Sequence, residues 1–141
     1  MKYWIPVSIA VVIAAFVVAG CGETKPPEEG WTYVGTWVNS AYNGHNGGPA
    51  GKMVMTATSG TDYNNDTDTT PVFSGSFTLA DDWTSGGDHY FKGISVAGGN
   101  TLFLLLRVSN TNNTLELNGS STAYPTSIDP AGAIYAIYTR Q

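Results

Sequence analysis

Cysteine is almost missing from this chain: Cys21 is the only one in 141 residues. A lone thiol cannot pair within its own chain, so no disulfide framework holds the fold and its core must do that alone. Charge is sparse and leans to one sign, with six basic residues against eleven acidic ones and a net charge of −5. No basic stripe runs through it, which argues against nucleic acid as a partner and against electrostatic docking on anionic lipid. Histidine is limited to His45 and His89, neither with partners at ligand spacing, so no metal site is expected. There is no G-x-S-x-G elbow, phosphate loop or paired-carboxylate motif. The chain therefore reads as a protein that is not an enzyme and needs no cofactor. Helix formers are few beyond residue 20, where Gly, Thr, Ser, Asn and Tyr dominate instead.

What is present begins at the N-terminus. Lys2 precedes an apolar run from Ile5 to Val18 that is interrupted only by Pro6 and Ser8, the layout of an export signal. The run is shorter than the roughly 20 apolar residues that span a hydrocarbon core. It ends in Val18-Ala19-Gly20-Cys21, which resembles the lipobox of bacterial lipoprotein precursors. That resemblance implies removal of residues 1–20 as a signal-peptide helix and attachment of diacylglycerol to the Cys21 thiol. Several acyl chains on one residue hold a protein firmly to a membrane, and a lipidated thiol accounts for the missing disulfide. Gly22 is unlike the inner-membrane retention signal of some bacteria, so the outer membrane of the cell envelope is favoured.

Residues 21–30 then read as a lipidated cysteine and a polar, proline-containing tether, Gly22 to Gly30. Residues 31–141 form one domain by length. Loss of residues 1–20 takes only Lys2 from the charged set and moves the net charge from −5 to −6. Within the domain, runs of about six to nine alternating residues are separated by Gly/Asn/Asp clusters, the spacing of a sandwich or barrel. Strands are expected at Trp31–Val38, Lys52–Thr58, Val72–Leu79, His89–Val96, Thr101–Val108, Thr114–Asn118 and Ala133–Arg140, with Asp62-Tyr63 the place for an eighth. In His89–Val96, Tyr90, Ile94 and Val96 share a face with Lys92. Ala97-Gly98-Gly99-Asn100 and Ser109–Asn113 suit hairpin turns. The one candidate for a helical turn is Ala80-Asp81-Asp82-Trp83, with Asp81 or Asp82 as N-cap. Phe103 and Leu105 fall opposite the Leu102, Leu104, Leu106 and Val108 face, so either a loop covers them or they form an exposed apolar patch. The fold class is thus all-β: an up-and-down antiparallel meander of about seven to eight strands, closing into a small barrel because closure removes exposed edges.

Gly35-Thr36-Trp37 in the first strand and Arg140 in the last resemble the G-x-W motif and closing arginine of the lipocalin-like (calycin) family. The resemblance implies a guanidinium stacked on the indole, with Gly35, Trp37 and Arg140 sealing one end of the barrel. More broadly, Trp31–Trp37, Asp81-Asp82-Trp83, Tyr124–Pro130 and Ile137–Gln141 are similar to stretches of small bacterial lipoproteins with such a barrel. The chain departs from lipocalins proper in being shorter, with no C-terminal helix expected and no disulfide.

Two functional readings stand. In one, the membrane-anchored barrel binds a small hydrophobic ligand, with Trp37, Met53, Met55, Phe77 and Tyr138 on plausible inward faces. In the other, the aromatics fill the barrel, and a surface-displayed module recognises a protein or glycan through its Asn/Gly-rich loops. No residue pattern specifies a protein partner. Asp62, Asn64, Asp66 and Asp68 alternate like the start of a calcium loop, but Thr67 and Phe73 stand where an EF-hand needs Gly and Glu. A solvated acidic loop is the expectation there.

Overall fold

The computed structural model describes residues 31–42 and 49–141. The expected signal peptide, Cys21, the tether and the Gly/Asn loop with His45 lie outside the described residues. Eight strands are present: β1 Gly35–Val38, β2 Lys52–Met55, β3 Ser59–Tyr63, β4 Phe73–Ser85, β5 Asp88–Ala97, β6 Asn100–Val108, β7 Thr114–Ser120 and β8 Tyr135–Arg140. Each pairs antiparallel with the next, and β8 pairs back onto β1 with Trp37 opposite Arg140 and Val38 opposite Thr139. The protein is therefore all-β, a closed eight-stranded meander with no helix among the described residues. Closure gives each of these strands a paired neighbour on both sides.

Alternation sorts the side chains. Trp37, Met53, Met55, Phe77, Phe91, Leu104, Leu106, Leu115 and Tyr138 are buried in the interior. In β5 the inner face carries His89, Phe91, Gly93 and Ala97, so the expected grouping of Tyr90, Lys92, Ile94 and Val96 is the outer face. There Trp83 and Tyr90 stack with centroids 5.4 Å apart, and Lys92 Nζ lies 5.5 Å from the Trp83 ring and 5.4 Å from that of Tyr124.

The helical turn expected at Ala80–Trp83 is not there; these residues belong to β4. What interrupts regularity is a register shift between Leu79 and Asp81, a β-bulge that adds Ala80 to one strand only. The extra residue reverses the alternation, so Leu79 and Asp82 are both buried although they are three positions apart. The Asp pair that resembles a helix cap instead sends Asp82 into the barrel.

Hairpin chemistry is local and follows the residues. Gly98 and Gly99 take φ of 57° and 81° between the paired Ala97 and Asn100, the two positive values such a turn requires. Asn112, at φ 57°, supplies the left-handed residue of the β6–β7 turn. Residues 121–134, between β7 and β8, fold back on the barrel's outside. Asn118 fastens them, accepting from Asp129 N at 2.7 Å and donating to Asp129 O at 3.0 Å. The Phe103 ring meets Tyr124 edge-on at 5.1 Å, and Leu105 is 2% exposed. A loop, not solvent, covers this outward apolar face.

Because a meander reverses direction at each strand, the turns after β2, β4 and β6 gather at one end with residues 31–34 and the tip of β8. The connections after β1, β3, β5 and β7 gather at the other.

Candidate functional site

The first of these ends is sealed. Arg140 Cζ lies 4.1 Å from the centroid of the fully buried Trp37 indole. Its guanidinium donates to four oxygens: Asn112 O (2.7 Å), Asn112 Oδ1 (2.9 Å), Val34 O (3.0 Å) and Thr32 O (2.7 Å). The N-terminal segment, the β6–β7 turn and β8 are thereby tied to one planar fork, a geometry that lysine cannot reproduce. Burial lowers the Arg140 pKa from its ordinary value, yet a guanidinium stays charged in proteins. Gly35, at φ 146°, leaves the room; a Cβ there would lie 2.5 Å from Arg140 Nη1. Trp37 Nε1–H donates to Tyr33 O at 2.7 Å. The structure thus brings Gly35, Trp37 and Arg140 together at the base.

Beside them lies a polar group that the sequence does not reveal. His89 is fully buried; its Nε2 is 2.9 Å from Asp82 Oδ2 and its Nδ1 is 3.1 Å from Thr84 Oγ1. Trp31 stacks over the imidazole at 6.0 Å, and Phe91 tilts against it at 4.6 Å. The hydrogen bonds on both ring nitrogens and the flanking aromatic rings make this a structural plug for the base.

The opposite half is hollow. A cavity of about 440 Å³ is lined by Met53, Met55, Gly60, Phe77, Leu104, Leu117, Ala136 and Tyr138 along the walls. Pro49, Ala50, Phe73, Leu102, Ala133 and Ile134 stand towards the open end. Such a volume is in the range that accepts small-molecule ligands. Of the residues expected on a lining, Met53, Met55, Phe77 and Tyr138 are on it. Trp37 is not: its indole is committed beneath Arg140, where the barrel is closed. Phe77 forms part of the floor, edge-on to Tyr33 at 5.1 Å. Gly93 makes its position possible, because a Cβ there would collide with the Phe77 ring.

The lining is apolar except for a few groups. Asp62 is among them, although it opens the acidic run read as a solvated loop. It is opposite Met53 on one side and Phe73 on the other, and therefore shares their inward face. The rest of that run stays in the β3–β4 connection, where Asn65 Oδ1 accepts from Thr67 N at 3.1 Å and Asp68 Oδ2 accepts from Asn65 N at 3.3 Å. Tyr138 is buried, and its pKa is raised by that burial and by the charges of Asp62 and Tyr42. Leu117, Ala136 and Asp62 are among the lining residues that strand parity left unnamed. The available signal was register: once Met53 faces inward, its ladder partner Asp62 must as well.

The chain matches no family model, no curated protein and no solved structure. Function must therefore be argued from the site itself.

Proposed function

We propose that this protein is a lipocalin-like, membrane-tethered carrier of the cell envelope that holds a small apolar ligand in the open half of its barrel. The observation that carries the reading is the cavity: about 440 Å³, apolar-walled and closed beneath by Phe77, with the barrel's base sealed by Trp37 and Arg140. Barrels of this size are commonly filled by their own side chains. Here several of the largest buried side chains, Tyr33, Trp37, His89 and Phe91, stand outside the cavity lining, which includes the small residues Gly60, Ala133 and Ala136. The stacked Trp37 and Arg140 pair, the Cys21 lipobox and the acidic tether supply the lipocalin-like and lipoprotein parts of the reading.

The test is titration with a neutral environment-sensitive probe such as N-phenyl-1-naphthylamine. A saturable signal is expected. Ala136→Phe, which places a ring in the cavity, should weaken it at least about ten-fold with an unchanged circular dichroism spectrum. Ile137→Ala, on the exposed side of the same strand, should leave it intact. An unsaturable signal in the native protein would instead favour an interaction module.

A further inference from the structure

We propose that Phe77 fixes the depth of the cavity, and with it the length of hydrocarbon chain the barrel accepts. The inference rests on the carrier reading and narrows its ligand class to alkyl chains of limited length.

Followed towards the base, the lining ends at Phe77 on β4, at Leu104 on β6 and at Leu117 on β7. The next inward residues on these strands, Leu79, Leu106 and Leu115, are buried and off the described lining. Phe77 differs from the two leucines in reach. Its ring extends onto β5, where a Cβ on Gly93 would collide with Cζ and Cε2. The ring thus occupies the side-chain space that a glycine leaves vacant on the neighbouring strand.

Beneath it the aromatic packing continues. Phe77 is edge-on to Tyr33 at 5.1 Å, and Tyr33 is edge-on to Phe91 at 5.0 Å. Phe91 is the inward residue of β5 that follows Gly93 towards the base, and both it and Tyr33 are buried and off the described lining. Three rings therefore run from the cavity into the plugged base, and only the first of them meets the cavity. Without that ring, the space above Gly93 and the edge of Tyr33 would join it.

Each methylene moved from water to an apolar wall favours binding, so affinity rises with chain length for as long as the chain finds wall. A chain longer than the cavity leaves its last methylenes in water, and the gain stops. An alcohol whose hydroxyl stays at the open end keeps its hydration, so an alcohol series reads the hydrocarbon alone.

The straight-chain alcohols from hexanol to tetradecanol, used to displace N-phenyl-1-naphthylamine from the full chain carrying Cys21→Ser, test this. Displacement should strengthen about three- to four-fold with each added methylene, and then level off at a break. Phe77→Ala should move the break to chains longer by about two carbons or more, and Phe77→Leu should move it the same way by a smaller step. Leu102→Ala, which thins the wall without touching the floor, should weaken all lengths together and leave the break in place. A native series that rises to tetradecanol without a break overturns the proposal. So does a break that Phe77→Ala leaves where it was, or one that Leu102→Ala moves as far. Should Phe77→Ala not fold, Phe77→Leu decides in its place. Failure of the neutral probe to bind at all overturns the carrier reading, and is distinct from the absence of a break among alcohols that do displace it.

Discussion

Arg140 shows how much one side chain can organise. It stacks on Trp37 and donates to oxygens of three residues from two segments, Thr32 and Val34 before β1 and Asn112 in the β6–β7 turn. Arg140→Ala leaves those half-buried oxygens without their donor, and losing hydrogen bonds to a charged group costs about 1.5–3 kcal/mol. Arg140→Lys should recover less than half of that, since an ammonium cannot reach all four oxygens from one plane. Gly35→Ala should cost more than about 1 kcal/mol, because the positive φ and the adjacent Nη1 both oppose a Cβ. Urea unfolding midpoints measure all three. At the same scale, the Tyr135 phenol donates to Glu116 Oε1 at 2.8 Å, and burial followed by that bond pushes its pKa up to about 12. Tyr138 is also raised, first by burial. Free phenols ionise near pH 10, so the unfolded chain loses these protons first. The contribution to stability is complete below about pH 10 and disappears as the pH rises to about 12 and beyond. An absorbance titration at alkaline pH should show these two tyrosines ionising only as the barrel unfolds.

At the level of strands, β4 holds the most consequential irregularity. Its bulge at Ala80 places Asp82 inside, where it meets His89 on β5. Strand alternation alone would have carried Asp81 and Trp83 inward after Leu79. His89→Ala removes both hydrogen bonds of a fully buried ring and should destabilise by about 2–3 kcal/mol. A double-mutant cycle with Asp82→Asn should return a coupling of about 1 kcal/mol or more, where independent effects would simply add. The turns were easier to read than the bulge. Gly98-Gly99 and Asn112 announce positive φ through residue type, whereas Ala80 has no feature marking it as extra. The same limit affected β5, whose alternation was visible but whose inward phase was not, because Tyr90 and Phe91 suit either face equally. In β6 the phase was legible, since the Leu102-to-Val108 series is uninterrupted, but whether a loop covers Phe103 and Leu105 or they form an exposed patch was decided only by the structure.

Taken whole, the molecule is an asymmetric container: an aromatic and polar plug in one half, an open apolar cavity in the other. The segment entering at Trp31 joins the plugged end, so a tether from Cys21 would attach the barrel by its base. If that tether is lipidated, Cys21→Ser should move the protein from the membrane to the aqueous fraction and abolish incorporation of a clickable palmitate analogue. Unchanged fractionation and labelling would remove the anchored part of the proposed function. The cavity is the feature least legible beforehand. Trp37 was an attractive lining residue by parity, and it does face inward, but inward at the base means packed under Arg140.

The sequence by itself determined the class of this fold. Period-two alternation, the Gly and Asn turns and the scarcity of helix formers act within a few residues of one another, and they dictate strands joined in succession. It also placed Gly35, Trp37 and Arg140 on strands that closure makes neighbours. Only the tertiary structure decided which face of β5 is buried, that Asp82 turns in and Asp62 lines a cavity, and that a cavity of about 440 Å³ opens within the barrel. Those outcomes depend on register carried from strand to strand around a closed sheet, where one added residue reverses every position after it.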